Sequence, residues 1–277
     1  MSPAKPRFAL NHMAAPQLDL AAFFALARSV GITEVEIRND IAGKAILDGT
    51  PAATVRAAAE QAGVAIITIN ALQRFNEWTP ARAAEAEALA RYARDCGAKA
   101  LILVPTNDGT GGEDGARQAN LRTALTALKP ILHQFGITGL VEPLGFEICS
   151  LRSKREAVEG IRAVGGEGVF KVTHDTFHHT LAGEPDIFPD MTGLVHISGV
   201  EDRALAPSDM RDAHRVLVGP GDRIGNVDQL RRLLAAGYGG PVSFEPFAAE
   251  LRTLSDPAAA LRASMAYIEG SLARAAA

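Results

Sequence analysis

The sequence contains little cysteine, no long apolar run and no signal-peptide pattern. Cys96 and Cys149 are its only cysteines, and they lie far apart, which argues against both a disulfide framework and a thiolate zinc site. No apolar run approaches the roughly 20 residues that cross a membrane, and the N-terminal segment MSPAKPRFAL lacks the apolar region of a secretory signal. We therefore expect a cytoplasmic protein without a membrane partner.

The chain also lacks a run of Lys or Arg. Its formal net charge is −4 and its pI is about 6.0, so nothing in the charge pattern attracts a nucleic acid. Apolar residues make up 47% and charged residues 22%, which is typical of a globular protein with a sizeable core. These observations favour a small, neutral or weakly charged ligand as the partner.

Short apolar runs alternate with longer segments of helical period along the whole chain. The runs with β-strand character are RFALN, EVEIR, AIITIN, KALILVP, TGLVEP, VFKVTHD, GLVHIS and PVSFEP, and amphipathic stretches such as TVRAAAEQAG lie between them. Eight such repeats over 277 residues predict an α/β fold, a single (β/α)8 TIM-barrel domain spanning residues 1–277. The alternative is an open doubly wound sheet, but no G-x-G-x-x-G follows the first strand.

Two segments interrupt the alternation of strands and helices. The segment 106–115 follows the fourth strand, and its glycines predict a mobile loop. It lacks the G-K-[ST] of a phosphate-binding loop, which excludes that function. Residues 200–226 follow the seventh strand and are too long for an ordinary connection. Because this segment begins at the barrel face where active sites form, we expect it to cover the substrate.

Polar residues end four consecutive strands of the predicted barrel. Asp175 closes the strand in KVTHDTFHHT, and the neighbouring strands end with Glu142, His196 and Glu245. A single Glu at a strand end is usually a solvated rim residue or an ion-pair partner, and a single His is usually a hydrogen-bonded core residue. Three carboxylates in one barrel mouth would repel each other strongly unless a cation neutralised them. The four residues therefore predict a site for one divalent metal ion, namely Mn²⁺, Co²⁺, Zn²⁺ or Mg²⁺.

The chain resembles the xylose-isomerase-like TIM-barrel superfamily of sugar isomerases, epimerases and endonucleases. The resemblance rests on the four strand-end residues and on NALQRFN, DTFHH, EDR, HRVLVGPGD and VSFEPF, and within the superfamily it is strongest to isomerases of 2-keto-myo-inositol (inosose). It implies that Glu142, Asp175, His196 and Glu245 bind the metal. It also implies that Glu142 and Glu245 act as acid and base on a polyhydroxylated ketone through an enediolate.

Six further residues are candidates for the substrate site. His178 lies three residues after Asp175 and is expected to hydrogen-bond a substrate oxygen, whereas His174 and His179 are expected to point elsewhere. Asn11, Asn70 and Arg215 are assigned to outer hydroxyl groups, and Phe75 and Trp78 to an apolar lid that excludes water. His12 departs from the superfamily, where similar isomerases tend to carry an acidic residue, and it is also expected to face the substrate.

Several alternative functions remain open at the level of sequence. Within the superfamily they are a ketose 3-epimerase, a hydroxypyruvate isomerase and an inosose dehydratase. Outside this chemistry they are an abasic-site endonuclease, which would need extra ligands where the chain has Asn70 and Pro105, and a barrel that binds sugar without converting it. The apolar outer faces of the helices fit either packing or a homo-oligomer interface, so the oligomeric state also stays open.

Overall fold

Eight parallel strands form a closed barrel in a computed structural model that describes residues 5–41, 46 and 48–274. The strands pair in sequence order, and β1 closes the barrel by pairing with β8. Residues 1–4, which begin the N-terminal segment interpreted above, lie outside the described residues. The strands are β1 Arg7–Asn11, β2 Glu34–Arg38, β3 Ala65–Gln73, β4 Ala100–Val104, β5 Thr138–Val141, β6 Phe170–Asp175, β7 Thr192–Ile197 and β8 Pro241–Phe244.

A helix follows each strand and returns the chain to the start of the next one. Within the described part of the chain these helices are α1 Leu20–Ser29, α2 Ala52–Ala62, α3 Pro80–Cys96, α4 Ala116–Phe135, α5 Lys154–Ala163, α6 Thr176–Ala182, α7 Asn226–Ala235 and α8 Pro257–Arg274. Thr79 and Ser153 cap α3 and α5 by accepting a backbone N–H, and Gly63 and Gly97 end α2 and α3 in the left-handed conformation. The predicted (β/α)8 fold is confirmed.

The apolar core has two layers because successive strand residues point to opposite faces. Phe8 and Leu10 of β1 belong to the large cluster between strands and helices, whereas Ala9 belongs to a separate, smaller cluster. Leu101 and Ile102 of β4 divide in the same way. The smaller cluster therefore fills the interior of the barrel, and the polar strand ends lie at its C-terminal mouth.

The long segment after β7 folds back over this mouth. Gly199 pairs with Val216 in an antiparallel bridge, and short 3-10 turns at Pro207–Asp209 and Asp212–His214 lead to Arg215, which is buried. The segment thus brings the guanidinium group of Arg215 into the barrel mouth, the face of the barrel at which the sequence places this segment. None of the helices among the described residues is both long and apolar enough to cross a membrane.

Candidate metal centre and active site

The four predicted ligands meet at the mouth of the barrel. Glu142 and Glu245 directly follow β5 and β8, Asp175 is the last residue of β6, and His196 lies near the end of β7. All four side chains are buried, and each offers one ligand atom within 4.8 Å of the others. In tetrahedral coordination at about 2.0–2.2 Å, zinc holds its ligand atoms roughly 3.3–3.6 Å apart, so modest side-chain rotations would bring the four atoms to that spacing. The cluster could hold a divalent ion.

The hydrogen bonds of the cluster also fit a cation at its centre. His196 Nδ1 lies 2.7 Å from Glu142 Oε1 and 3.3 Å from Glu245 Oε2. Arg215 Nη2 donates to Asp175 Oδ2 at 2.6 Å and to Glu245 Oε2 at 3.1 Å. Positive or donating groups of the protein thus converge on the carboxylate oxygens that a metal ion would use, and a mixed oxygen and nitrogen donor set suits the divalent ions named above.

Two buried arginines each donate to a different oxygen of the Glu245 carboxylate. Arg38 Nη1 donates to Oε1 at 2.8 Å, while Arg215 Nη2 reaches Oε2, and both guanidinium groups lie against the ring of Phe247. Arg38 also forms a bidentate pair with Asp40, with both distances 2.7 Å. These contacts fix the carboxylate of Glu245 in one orientation.

Burial and neighbouring charges give Glu245 and Asp175 different pKa values. Burial raises the pKa of Glu245 to about 7, and the nearby carboxylate of Glu142 acts in the same direction. Burial also acts to raise the pKa of Asp175, but the charge of Arg215 and the backbone N–H of His178 hold it below its ordinary value. Without a bound cation, the carboxylate of Glu245 therefore has a higher pKa than that of Asp175.

A further carboxylate, Glu36 of β2, lies behind His196 and was not predicted. Its two oxygens are 3.1 and 3.2 Å from His196 Nε2, and its side chain is fully buried. Burial acts to raise the pKa of Glu36, but His196 and several hydrogen bonds lower it to about 2. Burial acts to lower the pKa of the His196 imidazole, but the charges of Glu245, Glu36 and Glu142 raise it above its ordinary value.

The cluster opens into a cavity of about 350 Å³. Glu142, Glu245, His178, Asn70, Arg38 and Arg215 lie on its wall. His178 Nδ1 is buried without a hydrogen-bond partner in the protein, which suits an acceptor or donor role toward a ligand, and burial lowers the pKa of this imidazole. A second cavity of about 480 Å³ adjoins the first and shares Asn107, Phe146 and Asp212 with it.

The expected hydroxyl-binding residues differ in position. Arg215 and Asn70 reach the cavity wall, although the amide of Asn70 donates to Glu36 at 2.9 Å. Asn11 is fully buried, and its amide donates to Glu36 and Glu245, so it supports the carboxylates from behind.

The apolar lid is not where the sequence placed it. Phe75 is fully buried in the main core. Strand β3 continues to Gln73, and the backbone N–H of Phe75 then donates to the carbonyl of Val104. Trp78 packs partly buried against the same core and lines a separate, smaller cavity. Neither residue lies on the wall of the metal cavity.

The remaining histidines near the site face away from the cavity. His174 bonds Gln229 at 2.9 Å, and His179 contacts Lys154 at 2.5 Å, on the helix side of β6. His12 does not face the cavity, contrary to expectation, because the 3-10 turn after β1 stacks its ring on Phe23.

The fold is thus a closed (β/α)8 barrel, and the buried cluster of three carboxylates and one imidazole at its C-terminal mouth is a candidate metal centre. The family model described as xylose isomerase-like TIM barrel matches residues 24–270. The chain therefore belongs to the xylose isomerase-like TIM-barrel family, as the resemblance predicted.

Solved structures agree with this assignment. A xylose isomerase domain-containing protein from Salmonella typhimurium LT2 is 36% identical, with a TM-score of 0.85, and the match covers 100% of this chain and 98% of that one. The IolI protein, solved with a bound zinc atom, is 18% identical over 98% and 99% of the two chains, with a TM-score of 0.84. An L-ribulose 3-epimerase is 18% identical over 100% and 96%, with a TM-score of 0.75. No curated protein matches the chain.

Proposed function

We propose that this protein is a divalent-metal-dependent isomerase of a polyhydroxylated ketone, with 2-keto-myo-inositol as its substrate. One observation carries the proposal: two buried glutamates, Glu142 and Glu245, lie 2.7 and 3.3 Å from Nδ1 of His196, within a cluster that could hold one metal ion. The motifs that resemble inosose isomerases support the choice of substrate.

The two glutamates have complementary roles in this proposal. A divalent cation bound by the cluster would polarise the ketone and stabilise the negative charge that develops on its oxygen. One glutamate removes the proton from the carbon next to the ketone, giving an enediolate, and the other serves as acid or base at the neighbouring carbon.

Other residues of the cavity bind and orient the substrate. His178 turns its buried Nδ1 toward a substrate oxygen, and Arg215 orients both Asp175 and Glu245 through its Nη2. Arg38 holds the second oxygen of Glu245 from the opposite side. These contacts keep the carboxylates in place while the substrate changes shape, which lowers the cost of reaching the transition state.

Proton NMR of the zinc- or manganese-loaded protein with 2-keto-myo-inositol in D₂O tests this function. We expect a new isomeric inosose and deuterium at the exchanging carbon, with no conversion by the metal-stripped protein. Glu142→Gln and Glu245→Gln are each expected to abolish turnover, while Glu269→Gln, on the exposed surface of α8, retains it. An active Glu245→Gln variant would contradict the mechanism of two carboxylates.

A ketose 3-epimerase is the second candidate, because the same two glutamates could deprotonate and reprotonate a single carbon on its two faces. The polar cavity of about 350 Å³ has room for a linear ketose as well as for a cyclic one. Conversion of fructose or tagatose by the metal-loaded protein, with inosose unchanged, would favour this candidate. Loss of water from inosose would instead indicate a dehydratase.

A further inference from the structure

Glu36 is a carboxylate in the interior of the barrel that the proposed reaction does not use. Its oxygens accept hydrogen bonds from Thr68 at 2.6 Å and from Asn70 at 2.9 Å. Asn11 donates at 3.3 Å, and the hydroxyl of Ser243 also donates. Together with His196, these donors come from β1, β3, β7 and β8, so one carboxylate joins residues from four other strands.

The neighbours of Glu36 determine what it can do. A carboxylate surrounded by donors on both oxygens has no lone pair directed at the cavity, so Glu36 is not placed as a metal ligand. An ionised carboxylate only accepts, and therefore the His196 Nε2 beside it carries the hydrogen. The other ring nitrogen, Nδ1, lies 2.7 Å from Glu142 inside the candidate metal cluster, so it is the nitrogen whose lone pair a bound metal ion would use in place of a hydrogen.

We propose that Glu36 is a positioning residue that fixes the tautomer and ring orientation of His196, so that Nδ1 presents its lone pair to the metal ion. The inference rests on the proposed metal site but not on the proposed reaction, and its test involves no turnover. Such a carboxylate behind a ligating histidine orients the ring and increases the basicity of the nitrogen that binds the metal.

The substitution Glu36→Gln keeps the shape of the side chain but replaces one oxygen by an amide NH₂. That group cannot accept the hydrogen bonds that the carboxylate oxygen receives, so it either forces His196 to accept at Nε2 or leaves one of the surrounding donors without its acceptor. We expect the affinity for zinc to fall roughly 10–100-fold, the usual effect of losing such a partner. Glu34→Gln is the matched control, since Glu34 lies on the same strand but pairs with the exposed Arg7.

Zinc affinity is measured by competition with a chromophoric chelator at constant pH, on metal-free protein whose fold is checked by circular dichroism. The proposal predicts weakened binding by Glu36→Gln and unchanged binding by Glu34→Gln. Equal affinity of wild type and folded Glu36→Gln, within about twofold, would overturn it. This result leaves the proposed isomerase reaction untouched, whereas an inactive wild-type enzyme with normal zinc binding would refute only the reaction.

A second measurement uses the wild-type protein and so does not depend on the folding of a variant. Protein labelled with ¹⁵N in histidine is loaded with ¹¹³Cd, and coupling between the two nuclei identifies the ring nitrogen that is bonded to the metal. We expect one histidine with cadmium on Nδ1 and a slowly exchanging proton on Nε2. Cadmium bonded to Nε2 of that ring would overturn the proposal.

Discussion

Removing Arg38 should expose how strongly Glu245 depends on its buried partners. In Arg38→Met the apolar stem is kept, but the contact of 2.8 Å between Nη1 and Oε1 of Glu245 is lost at a site where the two side chains are 6% and 4% exposed. Removing one partner of a buried ion pair costs roughly 3–5 kcal/mol, because the other charge stays desolvated. Glu245 keeps Arg215, so we expect the lower end, about 3 kcal/mol.

A double-mutant cycle separates this pair from its surroundings. Urea unfolding of the metal-free protein, followed by circular dichroism, is measured for Arg38→Met, Glu245→Gln and the double variant. The double variant lacks the stranded charge, so we expect a coupling of about 2 kcal/mol between the two positions. Asp40→Asn is the control, because the 35% exposed Asp40 should contribute less than about 1 kcal/mol. Additive losses, within about 0.5 kcal/mol, would refute the reasoning.

Three further predictions concern packing, pH and metal. Gly139→Ala would place a Cβ 2.6 Å from the ring of Phe170, so we expect a loss of about 1–3 kcal/mol in urea unfolding, whereas Gly168→Ala, with no atom within 4 Å, should be nearly neutral. Burial and Lys154 lower the pKa of His179 to about 4. The unfolded chain takes up a proton on this histidine near pH 6.5, so the neutral folded state is stabilised fully above that pH and loses this part of its free energy of unfolding as the pH falls toward 4. His179→Gln should reduce this acid-induced loss of stability by up to about 3 kcal/mol. Zinc at 100 times its Kd should stabilise the wild type by about 2.7 kcal/mol, measured in the same way, and Glu142→Gln should remove most of this gain.

The fold was predictable because its signal is repeated. Each strand of the barrel is a short apolar run, and each predicted strand appears in the structure, with β3 three residues longer than its apolar run AIITIN indicates. The meeting of the four candidate ligands was predictable for a related reason. In a parallel barrel all strands end at one mouth, so a polar residue at the end of each of four successive strands must meet the others there.

Glu36 and Arg38 were not predicted, although a signal exists in EVEIR. Charged residues alternate there with Val35 and Ile37, and alternation usually indicates a strand with one solvated face. In a barrel that face points inward, so Glu36 and Arg38 are buried next to the ligands. The residues that hydrogen-bond to Glu36 and Arg38 depend on how the barrel strands are aligned with each other, and the sequence of one strand does not contain this information.

The apolar lid shows a different limit of sequence reasoning. Phe75 and Trp78 follow the third predicted strand, where the sequence predicts a loop that offers an apolar lid. Strand β3 instead continues to pair with β4 beyond a register shift. The backbone N–H of Phe75 donates to the carbonyl of Val104, and the ring of Phe75 packs in the main core. An aromatic residue after a strand looks the same in the sequence whether it covers a ligand or packs in the core. Only the local turn geometry distinguishes the two positions.

The most direct test of the central claim is a crystal structure of the zinc-loaded protein with an anomalous difference map at the zinc edge. The account predicts one strong peak per chain, about 2.0–2.2 Å from one oxygen each of Glu142, Asp175 and Glu245 and from Nδ1 of His196. A cluster without a peak at saturating zinc, or a peak held by other residues, would contradict it.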